Sequence, residues 1–200
     1  MATPSARPQT ILTAEEYLRE EELSPVKREL VDGRLYAFAG AGRRHNRIVS
    51  NLVTELSIAA GDGPCEVLPN DMLVRASLRT FYYPDVVVVC NEGDPLDRVI
   101  EDPCLLIEVL SPSTLEIDRR EKLLAYQAMP SVRGCTLVYQ DQRRVLHYWR
   151  DDDDVWWESE VTKGEIQIPC LDIELPLDRI YRGIRYAPED STRQDQPFLP

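Results

Sequence analysis

The sequence predicts a single α/β domain with a central mixed β-sheet flanked by helices. Two apolar runs, residues 86–90 and 104–110, are rich in Val, Ile and Leu, which is typical of strands buried on both faces. Apolar residues recur at helical spacing between residues 44 and 60, which predicts an amphipathic helix. A chain of 200 residues corresponds to about one domain, and no internal repeat or linker divides it.

The first elements are marked by capping and turn residues. Thr13 and Glu16 match a capping box, which predicts a helix ending near Glu22. Asp32-Gly33 is a strong two-residue hairpin signal between strands at 28–31 and 34–38. Residues 1–12, before these elements, are predicted to form a flexible arm.

Strands dominate the rest of the chain, and a helix over residues 115–129 ends at Pro130. The remaining predicted strands cover residues 65–68, 72–76, 82–90, 104–110, 136–139, 144–149 and 155–161. A short helix is expected at 176–181. The domain is therefore placed at residues 13–186, and the polar, proline-containing tail 187–200 is predicted to be disordered.

The charge distribution points to one basic region. The chain carries 35 acidic and 23 basic residues, a formal charge of −12, which argues against general nucleic-acid binding. The densest basic cluster contains Arg43, Arg44 and Arg47, so if a polyanion binds this chain, it is expected to bind there. No apolar run is long enough to span a membrane and no signal peptide is evident, so we expect a cytoplasmic protein without membrane contact.

The five cysteines are scattered, and no pair has CxxC spacing. Most lie in or beside apolar strands. This pattern predicts buried, reduced thiols rather than zinc ligands or a disulfide framework.

Two carboxylates stand out within the apolar runs. Asp85 begins one predicted strand and Glu108 lies near the end of another. If the strands are neighbours, these side chains meet at one edge of the sheet, where two charges about 4 Å apart repel by about 4 kcal/mol. A divalent cation removes that penalty, and oxygen ligands favour Mg²⁺ or Mn²⁺. The alternative is that Asp85 is a turn residue and Glu108 a salt-bridge partner.

Pro84-Asp85 followed by Glu108-Val-Leu resembles the PD-(D/E)xK nuclease superfamily, although Leu110 stands where that superfamily has its lysine. A longer series of blocks resembles the Uma-type restriction endonuclease branch, in which the lysine comes from the next helix. These blocks are Glu29-Leu-Val-Asp-Gly-Arg-Leu, His45 in a helix, Tyr83-Pro-Asp-Val-Val-Val-Val, Glu108-Val-Leu-Ser-Pro-Ser-Thr, Asp118-Arg-Arg-Glu-Lys-Leu and Leu175-Pro-Leu-Asp-Arg-Ile-Tyr.

The resemblance implies that the central mixed β-sheet is restriction-endonuclease-like, and it implies a role for each matching residue. Asp85, Glu108 and the Val109 carbonyl would ligate the metal, and Lys122 would position the attacking water or hold charge on the phosphoryl group. Without the resemblance, Lys122 is typical of an exposed helix lysine paired with the acid one turn earlier. Glu29 would lie at the rim of the site or help a second metal, or it is an ordinary strand residue. His45 would move a proton or contact phosphate, or it simply packs.

The sequence therefore predicts a metal-dependent DNA endonuclease, with a homodimer as the expected assembly by analogy with the fold. A non-catalytic nucleic-acid-binding or regulatory module that retains the fold is the alternative. A metal-dependent hydrolase of small molecules is a third hypothesis, because it would accommodate the net negative charge.

Overall fold

The structure, a computed structural model, describes residues 11–37, 40–110 and 118–186, without the side chains of residues 118 and 119. Most of the predicted arm and the whole tail at 187–200 lie outside these residues. Leu12, at the end of the predicted arm, is buried, and its amide donates to the Gly33 carbonyl at 2.8 Å. The arm therefore cannot extend to residue 12.

The described residues form four α-helices, one π-helical turn and thirteen strands. The helices are α1 (Ala14–Glu22), α2 (Arg43–Ala60), α3 (Leu123–Gln127) and α4 (Leu177–Ile180), and the π-helical turn Asp118–Lys122 leads into α3. The strands are β1 (Arg28–Val31), β2 (Arg34–Ala37), β3 (Glu66–Pro69), β4 (Leu73–Ser77), β5 (Thr80–Tyr82), β6 (Val86–Val89), β7 (Val99–Ile100), β8 (Leu105–Leu110), β9 (Gly134–Tyr139), β10 (Val145–Arg150), β11 (Trp156–Val161), β12 (Glu165–Ile168) and β13 (Ile173–Pro176). No helix within the described ranges is both long enough and apolar enough to cross a membrane.

A six-stranded mixed sheet in the order β11-β10-β9-β8-β6-β3 is the centre of the fold. Only β8 and β9 run parallel in this sheet. Helix α2 packs on one face, where Ile48 and Leu52 join a core with Val86 and Ile107. The predicted mixed α/β fold is confirmed.

The opposite face of the central sheet is covered by α3. Tyr126 and Met129 pack there in one apolar cluster with Val87 and Leu106. A five-stranded sheet, β2-β1-β5-β4-β7, and the β12–β13 hairpin complete the fold.

The local signals near the N-terminus are confirmed. Thr13 and Glu16 form both hydrogen bonds of the capping box at the start of α1. Asp32 and Gly33 connect β1 and β2 with φ values of 48° and 82°. Positive φ at both central residues of a two-residue hairpin favours Gly and Asp or Asn, which explains why this short signal was reliable.

The predicted strand over 82–90 is wrong in its length, because it is two strands in different sheets. It breaks at Tyr83, Pro84 and Asp85, so that β5 ends in the five-stranded sheet and β6 begins in the central one. Pro84 cannot donate a backbone hydrogen bond and so interrupts a ladder at this point. Strands β7, β12 and β13 were not predicted, since two to four residues carry little periodic pattern.

The prediction of reduced, unpaired cysteines is wrong for four of the five. Cys65 is bonded to Cys90 and Cys104 to Cys170, across sequence separations of 25 and 66 residues. Spacing along the chain did not reveal these pairs because tertiary folding brings them together. Cys135 is a free, buried thiol, as predicted.

His147 is a buried titratable group in the central sheet. It lies opposite Thr136 in the β9–β10 ladder, and its Nδ1 is 2.9 Å from the Thr136 hydroxyl. Both side chains are buried. Burial lowers the pKa of His147 to about 4 from 6.5.

We expect this histidine to make the fold sensitive to acid. Below pH 6.5 the unfolded chain binds a proton at His147 before the folded chain does, so stability falls until the pH passes about 4. In His147→Gln, which does not titrate, the free energy of unfolding should lose about 3 kcal/mol less between pH 7 and pH 4. Urea unfolding of both proteins at each pH measures this difference, and parallel pH profiles would contradict it.

Candidate active site

Asp85 and Glu108 meet where the two central strands β6 and β8 come together. In this antiparallel pair Val86 lies opposite Ile107, so one further step along the register places Asp85 opposite Glu108. The Glu108 side chain lies on the face covered by α3, where Tyr126 contacts it, whereas the Asp85 side chain reaches His45 on α2. Both side chains are buried, with 4% and 5% of the residue exposed. The prediction that these strands are neighbours is confirmed.

Both oxygens of Asp85 are held by specific partners. Oδ2 accepts a hydrogen bond from the Val109 amide at 2.7 Å. Oδ1 lies 2.9 Å from Nε2 of His45, the first buried residue of α2. Asp85 therefore lies in the bend between β5 and β6 and is held there by contacts with β8 and α2.

Lys122 occupies the space between two acidic side chains. Its Nζ lies 2.9 Å from Glu29 Oε1 and 3.2 Å from Glu108 Oε1, and 5.3 Å from the centre of the Tyr82 ring. Only 4% of the residue is exposed, so the alternative of an exposed helix lysine is wrong. The π-helical turn at 118–122 delivers this side chain to the site from the helix after β8.

Glu29 comes to the site from the other sheet. It lies on β1, and besides Lys122 it binds the Tyr83 amide, which donates to Oε1 at 3.0 Å. It therefore joins the five-stranded sheet to the segment between β5 and β6. Glu29 therefore contacts the site through Lys122, and its role at the rim of the site or at a second metal stays a prediction.

Tyr126 is a site residue that the sequence did not reveal. Its hydroxyl donates to Glu108 Oε1 at 2.6 Å. Burial, followed by the charge on Glu108, raises the pKa of Tyr126 well above its usual value, so the hydroxyl stays a donor. The available signal was its position four residues after Lys122, which places both on one helical face.

The inner site carries excess negative charge. Asp85, Glu108 and Glu29 provide three carboxylates, and Lys122 provides one ammonium. Among the described residues of the inner site, carboxylates therefore outnumber ammonium groups, an imbalance that a divalent cation would reduce.

An open cavity of about 200 Å³ adjoins His45 and Asp85. Tyr83 and Lys27 also line it, and Lys27 forms an ion pair with Asp71 on the rim. Burial lowers the pKa of Lys27. The sequence did not mark this lysine, because its basic neighbours along the chain are few.

The predicted basic cluster lies beside this cavity. Arg43, Arg44 and Arg47 are exposed on the first turns of α2, the same turns that carry His45. Arg44 contacts the Gln140 carbonyl at 3.4 Å and lies over the Tyr186 ring. The three arginines and the buried carboxylates are therefore on the same side of the molecule.

Comparison with known proteins identifies relatives over most of the chain. The model of the family described as "Uma2: Putative restriction endonuclease" matches residues 14–178. An uncharacterized protein from Synechocystis is 36% identical over 162 residues, covering 79% of this chain and 92% of the relative. A second uncharacterized Synechocystis protein is 33% identical over 190 residues, covering 92% and 98% of the two chains.

A solved structure shares the fold. The crystal structure of a "putative nuclease belonging to DUF820" from Anabaena variabilis superposes with a TM-score of 0.69 at 15% sequence identity. The match covers 85% of this chain and 97% of that one. At this identity the similarity shows a common fold.

The buried ion pairs lead to a test of Lys122. Lys122→Met keeps the length of the side chain but leaves Glu29 and Glu108 without their shared cation, so the free energy of unfolding should fall by about 3–5 kcal/mol. Arg120→Met is the matched control, since Arg120 is exposed on the same turn and its replacement should change stability by less than about 0.5 kcal/mol. Urea unfolding at neutral pH measures both, and equal decreases in the two variants would contradict the role of Lys122.

Proposed function

This chain belongs to the Uma2 family, and we propose that it is an endonuclease that hydrolyses phosphodiester bonds in DNA with the help of Mg²⁺ or Mn²⁺. The observation that carries the proposal is the buried, opposed pair Asp85 and Glu108, with Lys122 held against Glu108. An acidic pair beside an ammonium group suits phosphoryl chemistry, because the carboxylates would hold a metal ion and the ammonium group would contact the phosphate.

Asp85, Glu108 and the Val109 carbonyl are the proposed metal ligands. Each oxygen of Asp85 has one described partner, and a carboxylate oxygen can accept a second. The Val109 amide points toward Asp85, and within a strand the carbonyl of a residue points to the same side as its amide. Strand β6 begins at Val86, opposite Ile107, so the β6–β8 ladder stops before Val109. An all-oxygen set of this kind fits Mg²⁺ or Mn²⁺.

The bound cation would lower the pKa of a water and neutralise charge that develops on the scissile phosphate. Lys122 would hold the attacking water or the phosphoryl oxygens through its ammonium group. Its position beside Glu29 and Glu108 restricts that ammonium to one place, which supports a role in orienting reactants.

Glu29 and His45 would act as positioning residues. Glu29 holds Lys122, and His45 holds Oδ1 of Asp85 while lining the adjacent cavity. A second metal at Glu29 and proton transfer by His45 stay predictions. Nε2 of His45 already faces Asp85, which favours orientation of the carboxylate as its first role.

DNA would approach over the N-terminal turns of α2. Three exposed arginines there provide positive charge next to the cavity, and a helix N-terminus itself favours anions. The acidic remainder of the chain would then face away from the duplex. A homodimer that places two such sites across a duplex stays a prediction.

The second candidate function is a non-catalytic nucleic-acid-binding module. The observation in its favour is that Lys122 is already engaged by two carboxylates, as a purely structural ion-pair network would be. Such a module would bind DNA through the same arginines without cleaving it.

Substitution of the acids separates these two functions. Asp85→Asn and Glu108→Gln keep the shape of each side chain but remove a ligand charge, so each should lower Mn²⁺- or Mg²⁺-dependent cleavage by on the order of a hundredfold or more. Glu92→Gln, an exposed acid, is the matched control and should cleave normally. The assay uses plasmid and single-stranded DNA with Mg²⁺, Mn²⁺ or EDTA. Wild-type cleavage rates in the Asp85 and Glu108 variants would remove these acids from the mechanism, and no cleavage by the wild-type protein would favour the binding module.

The proposed DNA contact through the arginines of α2 has a separate test. Replacing Arg43, Arg44 and Arg47 with Gln should weaken DNA binding and reduce the log–log salt slope by about 0.9 for each phosphate that the protein no longer neutralises. The control replaces Lys163, Arg179 and Arg182 with Gln, which removes the same charge elsewhere. Arg179 and Arg182 lie near Glu55, twelve residues or about 18 Å along α2 from Arg43. Fluorescence anisotropy at several salt concentrations gives both slopes, and an equal reduction in the two variants would place the DNA surface elsewhere.

A further inference from the structure

Four cysteines from four separate segments converge at the far end of the central strands. Cys65 directly precedes β3, and Cys90 directly follows β6. Cys104 directly precedes β8, and Cys170 lies in the connection between β12 and β13. These four residues form what we term the cysteine cluster.

The sulfur atoms of the cluster form one group rather than two separate pairs. The Sγ atoms of Cys90, Cys104 and Cys170 all lie within 4.8 Å of one another, and Cys65 is bonded to Cys90. The sulfurs of Cys65 and Cys90 also lie 3.6 Å and 3.9 Å from the Cys170 carbonyl oxygen. Each bridge therefore borders the other.

The size of this group matches a tetrahedral metal site. Zinc binds thiolates at about 2.3 Å, so the sulfurs of a four-thiolate site are separated by about 3.8 Å. The Cys90 sulfur lies within 4.8 Å of those of Cys104 and Cys170, so these unbonded sulfurs need to approach by at most about 1 Å. The two sulfurs within each disulfide, about 2 Å apart, need to part by about 1.8 Å once the bond is reduced. Closed four-cysteine sites of this kind are structural, because no position is left for water or substrate.

We infer that the reduced form of this protein binds one Zn²⁺ ion through Cys65, Cys90, Cys104 and Cys170. The two disulfides and the zinc site exclude each other, since the ion needs four thiolates. A small-molecule disulfide interconverts them: four thiolates give up four electrons to two molecules of that disulfide, two protein disulfides form, and the ion leaves. The reduced small molecule takes up four protons from water and departs as four thiols.

The ligands are well placed to hold an ion without rearranging the fold. The backbone of Cys104 is fixed, because its amide donates to the Val88 carbonyl at 2.7 Å and its carbonyl accepts from Arg133 at 2.8 Å. Cys65 and Cys90 face each other where the antiparallel β3–β6 ladder ends. All four cysteines are half-buried, which leaves the sulfurs reachable by a metal or an oxidant.

The cluster is separate from the proposed catalytic site. Cys90 is five residues from Asp85 along β6, or about 17 Å, and Cys104 is four residues from Glu108 along β8, or about 13 Å. The cluster and the catalytic site therefore take different metals at opposite ends of the same two strands. Cys135, the remaining cysteine, is buried with its thiol pKa raised by that burial, so it stays protonated and outside the cluster.

Metal analysis of the full chain tests this inference. Protein purified with a phosphine reductant and zinc should contain about one zinc per chain, and cobalt substitution should give a thiolate-to-cobalt charge-transfer band with the visible bands of a tetrahedral ion. Addition of oxidised glutathione should release the metal. Cys104→Ser and Cys170→Ser should each abolish the band, whereas Cys135→Ser should keep it.

Two further measurements make the outcome of this test unambiguous. Asp85→Asn should retain the zinc, which separates this site from the proposed catalytic metal. If a cysteine variant fails to fold, cobalt titration of the reduced wild-type protein still gives the answer. Absence of the thiolate band in reduced wild-type protein, iron in place of zinc, or metal retained in both Cys104→Ser and Cys170→Ser would overturn the proposal.

Discussion

The ion pairs of Lys122 with Glu29 and Glu108 tie together three parts of the structure. Glu29 belongs to the five-stranded sheet, Glu108 to the central sheet, and Lys122 to the helical segment between β8 and β9. Buried charges are costly unless their geometry and hydrogen bonds are nearly complete. The additional donors from Tyr83 and Tyr126 supply that completeness. The packing of the two sheets and the helical segment is therefore coupled to the formation of these ion pairs.

Strands β6 and β8 connect this charged region to the rest of the fold. Their central residues are fully buried and pack against α2 on one face and α3 on the other. One end of the pair carries Asp85 and Glu108, and the other end carries Cys90 and Cys104. Close-packed interiors are stiff and transmit strain, so the crosslinks at the cysteine end help to hold the geometry of the carboxylate end without touching it.

Signals that act over a few residues predicted the local structure well. The capping box at Thr13 and the Asp32-Gly33 turn depend only on neighbouring residues, and both are present as predicted. Where the chain changed sheets, the same reasoning failed: the apolar run from Tyr82 to Cys90 looks like one strand, yet Pro84 divides it between two ladders. Short strands such as β7 gave no signal, because they exist only through pairing with distant partners.

The sequence by itself determined the family and the mixed α/β fold, because these follow from ordered motifs and from hydrophobic periodicity. Only the tertiary structure decided that Lys122 is buried between Glu29 and Glu108 and that the Tyr126 hydroxyl donates to Glu108. Only the tertiary structure also brought four scattered cysteines together at one end of the central strands. The physical reason is that these contacts join residues 14 to 105 positions apart. Their energies depend on strand register and helix packing, which no local pattern encodes.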